Sequence, residues 1–176
     1  MLATWTIPAV RQRHNVAHQG RGSRDTPYHS SGPSIALSEV CYMTIKGSCL
    51  CGAVTYEITA AFQFLGNCHC SMCRKSNGAA FATWGILNPG TFHWTSGETL
   101  IQNYETSPGN TRLFCERCGS TLASAHSGVV GEVVIGTVDG DPGAIPREHI
   151  FVGSKAPWYQ ITDTLPQHEA WPPGLA

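Results

Sequence analysis

The chain has 176 residues, of which 41% are hydrophobic and 13% charged, which is typical of a globular protein with one core. Its formal net charge of −1 provides no basic footprint for nucleic acid or a membrane surface, and no apolar run approaches the ~20 residues that span a bilayer. We therefore expect neither nucleic acid nor a membrane as a partner.

Residues 1–42 differ in composition from the rest of the chain. They are rich in Ser, Gly, Pro, Arg and His, and they lack apolar periodicity. Such a segment buries too little surface to offset the entropy lost on ordering. Three interpretations stay open: a disordered segment, an organellar transit segment, and a non-native extension upstream of a start at Met43. We treat 1–42 as a disordered or non-native extension and 43–176 as the folded domain.

From Met43 onward, short runs rich in β-branched and aromatic residues predict strands separated by Gly, Pro and Asn turns. The predicted strands are 53–58, 80–87, 91–94, 100–104, 111–114 and 129–135. No segment has a sustained helical period, and one helical turn is predicted at 70–77. The sequence therefore predicts a mainly β domain with antiparallel sheets and few short helical turns.

After the loop at 139–143 the chain becomes aromatic and irregular. We expect this tail to wrap the sheet, and its aromatic side chains to serve in packing more often than in lining a pocket. The histidines other than His69, including His93, His126 and His149, carry no individual signal, because a lone His is more often a satisfied surface or core residue than a ligand.

The cysteines are the most informative residues of the chain. Seven of the eight fall into three close groups, namely Cys49 and Cys51, Cys68, Cys70 and Cys73, and Cys115 and Cys118. Sulfurs this close share an ion more naturally than they form a disulfide framework, which distributes cysteines among distant loops. No secretory signal is evident, which also favours metal binding and a cytoplasmic location. The pattern predicts zinc, with no role for Cys41.

Two of the groups are pairs, each followed by a glycine, Gly52 or Gly119, that can adopt the positive φ of a tight turn. Four thiolates from two such pairs close a tetrahedral cage around one zinc ion. The predicted structural site therefore consists of Cys49, Cys51, Cys115 and Cys118. A redox function of the second pair needs a βαβ context, which this strand-rich pattern does not offer.

The third group, Cys68, Cys70 and Cys73, provides three ligands and leaves one coordination position open. An open position is usual for a zinc ion that takes part in chemistry. A thiol bound to zinc loses its proton well below its free pKa of about 8.5, so the pattern indicates activation of a substrate thiol.

Residues beside this triple raise two questions. His69 is either a fourth ligand or points away, and we favour the second because both of its neighbours are ligands. Arg74 and Lys75 follow, and their charges favour thiolates. Either cation is also a candidate for binding the carboxylate of a peptide substrate.

Four sequence blocks occur in order at 47–57, 67–76, 114–120 and 149–158: GSCLCGAVTYE, NCHCSMCRKS, FCERCGS and HIFVGSKAPW. Together they resemble the glutathione-dependent formaldehyde-activating enzyme (GFA) family. The resemblance implies an Mss4-like fold, with stacked antiparallel sheets organised around zinc, over 43–176. It also implies two zinc ions per chain, a structural one on the four-cysteine set and a catalytic-type one on the triple.

For function, the resemblance implies a carbon–sulfur lyase that handles S-hydroxymethylglutathione or a related small thiol adduct, with glutathione or a similar thiol as partner. The alternative is a zinc-stabilised binding module without turnover, in which both zinc sites are structural. A water or thiol as fourth ligand at the triple favours the enzyme, and a protein side chain there favours the module.

Overall fold

A computed structural model of the protein describes residues 44–174. The predictions for residues 1–42, and Cys41 with them, lie outside the described residues. In chain order the elements are β1 (Ile45–Ser48), β2 (Thr55–Ile58), β3 (Phe64–Cys68), α1 (Ser71–Asn77), β4 (Ala82–Ile86), β5 (Phe92–Ser96), β6 (Ile101–Ser107), β7 (Asn110–Cys115), β8 (Thr121–His126), β9 (Val129–Val134) and β10 (Glu148–Ile150).

These strands form two sheets. A three-stranded sheet has the order β1-β2-β5, and a seven-stranded sheet has the order β10-β3-β4-β9-β8-β7-β6. All pairings are antiparallel except that of β10 with β3, which is parallel. The prediction of a mainly β domain with antiparallel sheets is confirmed.

All six predicted strands are present, with ends shifted by up to three residues, and the predicted helical turn is α1. Four strands were not predicted: β1, β3, β8 and β10. β1 and β3 each contain a glycine, and β8 consists largely of small residues. Glycine and small residues have low strand propensity, so these three segments carry no strong strand signal. Their partners in the sheet fix their conformation instead.

The two faces of the seven-stranded sheet carry different hydrophobic clusters. Val133 packs in a core with Ile45 and Tyr56 of the three-stranded sheet. Its neighbour Val134 packs in a second cluster, with Trp84, because successive residues of a strand point to opposite faces. The first face is therefore covered by the other sheet, and the second supports α1 and the C-terminal tail.

The C-terminal tail lies along β10 at the edge of the large sheet. The His149 N–H donates to the Pro166 carbonyl, and the His168 N–H donates back to the His149 carbonyl, both at 2.8 Å. The helix α1 has seven residues, and no helix between residues 44 and 174 has the length and apolarity needed to cross a bilayer.

Candidate functional site

The first cysteine cluster forms where two turns meet, one between β1 and β2 and the other between β7 and β8. Its four sulfurs all lie within 4.8 Å of one another, with 3.5 Å between Cys49 and Cys51 and 4.0 Å between Cys51 and Cys115. A tetrahedral zinc ion with Zn–S bonds of about 2.3 Å requires S–S separations of about 3.8 Å. The sulfurs of Cys49, Cys51, Cys115 and Cys118 therefore fit one such ion.

The two turns have the same local geometry. In each, a glycine N–H donates to the carbonyl of the first cysteine: Gly52 to Cys49 at 2.9 Å and Gly119 to Cys115 at 2.8 Å. Both glycines have positive φ, 71° and 74°, as the sequence predicted. This conformation is disfavoured for side chains with a Cβ, so the glycines let each turn direct its sulfurs to one point.

Ser120 joins the two turns and acts on a ligand. Its hydroxyl accepts a hydrogen bond from the Leu50 N–H at 3.0 Å. Hydrogen bonding with the side chain and backbone of Ser120 lowers the pKa of Cys118 to about 6. Because metal ligands must be deprotonated, this thiol is prepared for binding.

The second cluster forms at the end of β3 and the start of α1. The sulfurs of Cys68, Cys70 and Cys73 lie within 4.8 Å of one another. Cys70 is the N-cap residue of α1, and its sulfur accepts a hydrogen bond from the Cys73 N–H at 3.3 Å. Hydrogen bonds from the Cys68 and Cys73 thiols lower the pKa of Cys70 strongly. The hydrogen bond between Cys68 and Cys70 in turn raises the pKa of Cys68. The pKa of Cys73 is also raised, to about 11, so within this cluster the thiolate form is favoured at Cys70.

Two arginines contact this region in different ways. Arg112 of β7 reaches across the sheet and its Nη2 lies 3.7 Å from the Cys73 sulfur, where its charge stabilises thiolate. Arg74 instead donates to the backbone carbonyls of His69 at 3.2 Å and Ser154 at 3.3 Å. Arg74 therefore ties the cysteine loop to the C-terminal tail.

His69 lies outside the thiol cluster, as predicted. It is fully buried, and its Nε2 lies 2.8 Å from His149 Nδ1. His149 Nε2 in turn donates to both oxygens of the Asp163 carboxylate at 3.1 Å. Burial lowers the pKa of His69 to about 4, so this ring is neutral at neutral pH. The chain of contacts fixes the cysteine loop against β10 and the tail.

The three sulfurs of the second cluster line a cavity of about 300 Å³, which is at the small end of ligand-binding pockets. None of the four sulfurs of the first cluster lines this cavity. The tail contributes Phe151 and Trp171, whose rings are 5.4 Å apart in an edge-to-face arrangement. These two aromatics both pack and line the pocket, whereas Trp158 is 71% exposed.

The floor of the cavity is a row of residues across the large sheet. Arg112 pairs with Ser124, Ser124 with Glu132, and Glu132 with Ile86. The Arg112 guanidinium lies 4.7 Å from the centre of the Trp84 ring, and its Nη1 is 3.7 Å from Glu132 Oε2. Burial raises the pKa of Glu132. A cation and a carboxyl group thus face the same space as the thiols.

Sequence reasoning missed Arg112, Glu132 and the contribution of His149. One signal was available for Glu132: it is a single carboxylate inside the apolar run 129–135, where a charged residue is rare unless it is paired. Arg112 had no such signal, because its importance depends on strand β7 and helix α1 meeting in space.

Comparisons with known proteins identify a family for this chain. The sequence model of the glutathione-dependent formaldehyde-activating enzyme family matches residues 44–154. A Halomonas elongata protein, named a candidate glutathione-dependent formaldehyde-activating enzyme, is 30% identical over 129 residues, covering 68% of this chain and 82% of that protein.

Two further similarities are more partial. An uncharacterized lyase of Schizosaccharomyces pombe is 28% identical over 82 residues, which cover 47% of this chain and 58% of that protein. A crystal structure of a Rhodobacter sphaeroides protein superposes with a TM-score of 0.43 at 25% identity, covering 57% of this chain and 97% of that one.

Proposed function

Because this chain belongs to the glutathione-dependent formaldehyde-activating enzyme family, we propose that it is a zinc-dependent carbon–sulfur lyase. Its reaction joins glutathione and formaldehyde to S-hydroxymethylglutathione, or separates them, and related small thiol adducts belong to the same chemistry. The names of two relatives support a lyase-type activity, since one is named for formaldehyde activation and the other is named a lyase.

The observation that carries this proposal is the position of the three-thiol cluster in the wall of a cavity. A four-cysteine site is complete without a further ligand, whereas three cysteines leave a position for a small molecule. The cavity provides the path by which a thiol reaches that position. Its volume of about 300 Å³ favours a small substrate over a protein partner.

Both clusters fit zinc, because thiolate sulfur is a ligand that zinc favours and the separations suit tetrahedral coordination. We therefore propose two zinc ions per chain, one on Cys49, Cys51, Cys115 and Cys118 and one on Cys68, Cys70 and Cys73. Zinc bound at the triple would supply Lewis acidity that keeps a substrate thiol in its thiolate form.

The chain's own residues supply the surroundings of this chemistry. Arg112 places a positive charge beside Cys73 and balances the negative charge that three thiolates bring together. Trp84, Phe151 and Trp171 provide apolar walls that limit the access of water. Lys75, an exposed residue of α1 that does not line the cavity, is the remaining candidate for the carboxylate of a peptide thiol.

The test is two-dimensional exchange NMR of glutathione and formaldehyde, with and without zinc-loaded protein. These reagents also combine unaided, so the measured quantity is the exchange rate above that in buffer. We expect acceleration by the wild type and none by Cys73→Ser. Zinc-loaded wild type that leaves the exchange rate at its buffer value would refute the activity and favour a non-catalytic binding module.

A further inference from the structure

The formation of S-hydroxymethylglutathione needs a group that moves a proton. The thiol loses its proton before sulfur attacks, and the carbonyl oxygen gains one after attack. Among the described residues that line the cavity, Glu132 is the only carboxyl group, and besides the cysteines it is the only side chain with an acidic proton that it can both take up and give away. The guanidinium of Arg112 stays protonated at all relevant pH values.

Glu132 is placed to contact a ligand in the cavity. Its side chain is 29% exposed, so it is largely withdrawn from bulk water but remains accessible from the cavity it lines. Glu132 pairs with Ile86 on β4, and Trp84 lies two residues before Ile86 on that strand. Alternate residues of a strand share a face, so Glu132 and Trp84 lie on the same face of the sheet. This is the face that carries the second hydrophobic cluster, which contains Cys68 and Cys73.

We propose that Glu132 is the catalytic acid–base residue of this cavity, an inference that rests on the proposed function. Its carboxylate takes the proton from the S–H of the entering thiol. The sulfur electron pair then forms the C–S bond as the C=O π bond breaks, and the carbonyl oxygen takes the proton from Glu132. Thiol and aldehyde give the hydroxymethyl thioether with no other reactant, and the reverse sequence releases both.

The surroundings of Glu132 suit this function. Arg112 on β7 is the cation that faces it, at 3.7 Å, and Ser124 on β8 is its cross-strand neighbour. From β4 it meets the apolar Ile86, and the nearby negative charge is that of Cys70. Burial and the Cys70 charge favour the protonated carboxyl, while Arg112 favours the carboxylate. The carboxyl group therefore has neighbours that favour each of its two protonation states, as a residue that both takes and gives a proton requires.

The experiment compares Glu132→Gln with wild type in the full-length, zinc-loaded protein, using the exchange NMR measurement at saturating glutathione. General acid–base groups typically contribute about 10²- to 10⁴-fold to a rate, and we expect a loss in that range. Zinc content and glutathione affinity, measured by metal analysis and calorimetry, should stay within about twofold. The matched control is Glu57→Gln, a carboxylate on β2 paired with Lys46 outside the cavity, which should leave all three quantities unchanged.

Glu132→Asp provides a second test, because it keeps a carboxyl group. We expect it to retain at least about tenfold more activity than Glu132→Gln. Equal loss in both variants, or loss of zinc or glutathione binding in proportion to activity, would overturn the inference and make Glu132 a structural residue. If the wild type accelerates exchange and Glu132→Gln is fully active, this inference alone is overturned. If the wild type itself is inactive, both the proposed function and this inference are overturned.

Discussion

The two cysteine clusters lie on opposite faces of the seven-stranded sheet. Cys49 and Cys115 belong to the core between the two sheets, and Cys68 and Cys73 belong to the cluster under α1 and the tail. The cysteines of the first cluster come from turns about 64 residues apart in sequence, and those of the second lie within six consecutive residues at the end of β3 and the start of α1. The same residue type therefore occurs in two different settings, which the topology of the chain determines.

The difference has an energetic meaning. A metal ion that joins distant segments binds the folded chain and not the unfolded one, so its binding free energy contributes directly to the free energy of folding. An ion held by neighbouring residues changes the topology little, so its site can be adapted to exchange ligands with the cavity. Three substitutions test this comparison.

The largest effect is expected for Cys118→Ser, which removes a ligand that joins the β1–β2 turn to the β7–β8 turn. Apparent binding energies of structural zinc are about 10–16 kcal/mol in small zinc peptides, comparable with the entire stability of a domain, about 5–15 kcal/mol. We expect loss of the cooperative thermal transition, measured by circular dichroism. A melting temperature close to that of the wild type would show that the first cluster is not the main source of the stability of the fold.

A smaller effect on stability is expected for Cys73→Ser. Because its ligands are local, the variant should keep the fold and lower the melting temperature by less than about 10 °C. It should lose one zinc equivalent and its affinity for glutathione, measured by metal analysis and calorimetry. Unfolding as severe as that of Cys118→Ser would make both clusters structural and would remove the contrast between them.

The smallest effect is expected for Tyr56→Phe. The Tyr56 hydroxyl hydrogen-bonds Thr137 at 2.8 Å and so links the three-stranded sheet to the segment after β9. If a zinc ion at the first cluster provides most of the stability, loss of this hydrogen bond should lower the free energy of unfolding by only about 1 kcal/mol at neutral pH. Chemical denaturation at pH 7 measures this cost.

Tyr56 also makes the stability of the fold depend on pH. Burial raises the pKa of Tyr56 to about 12, above the unfolded value of about 10. The unfolded chain releases this proton first, so wild-type stability falls as pH rises from about 10 to about 12. Tyr56→Phe should show a flatter decline over this window. Tyr104→Phe, at a residue that is 67% exposed, is the control and should leave the slope as in the wild type.

The sequence by itself determined the grouping of the cysteines and much of the fold. Spacing alone brought Cys68, Cys70 and Cys73 together, because residues this close in sequence cannot be far apart in space. The glycines after each pair fixed the turns, and the strands rich in β-branched residues were found with small errors at their ends. These features depend on local chemistry, which a sequence displays directly.

Only the tertiary structure decided which face of the sheet each cluster occupies and what stands beside it. Arg112 and Glu132 are 20 positions apart, and the register of β7, β8 and β9 brings them together on the cavity floor. His69 points to His149 because β10 pairs in parallel with β3, a pairing with no sequence signal. Such neighbours arise from strand order and register, which are fixed by the packing of the whole sheet and not by any one segment.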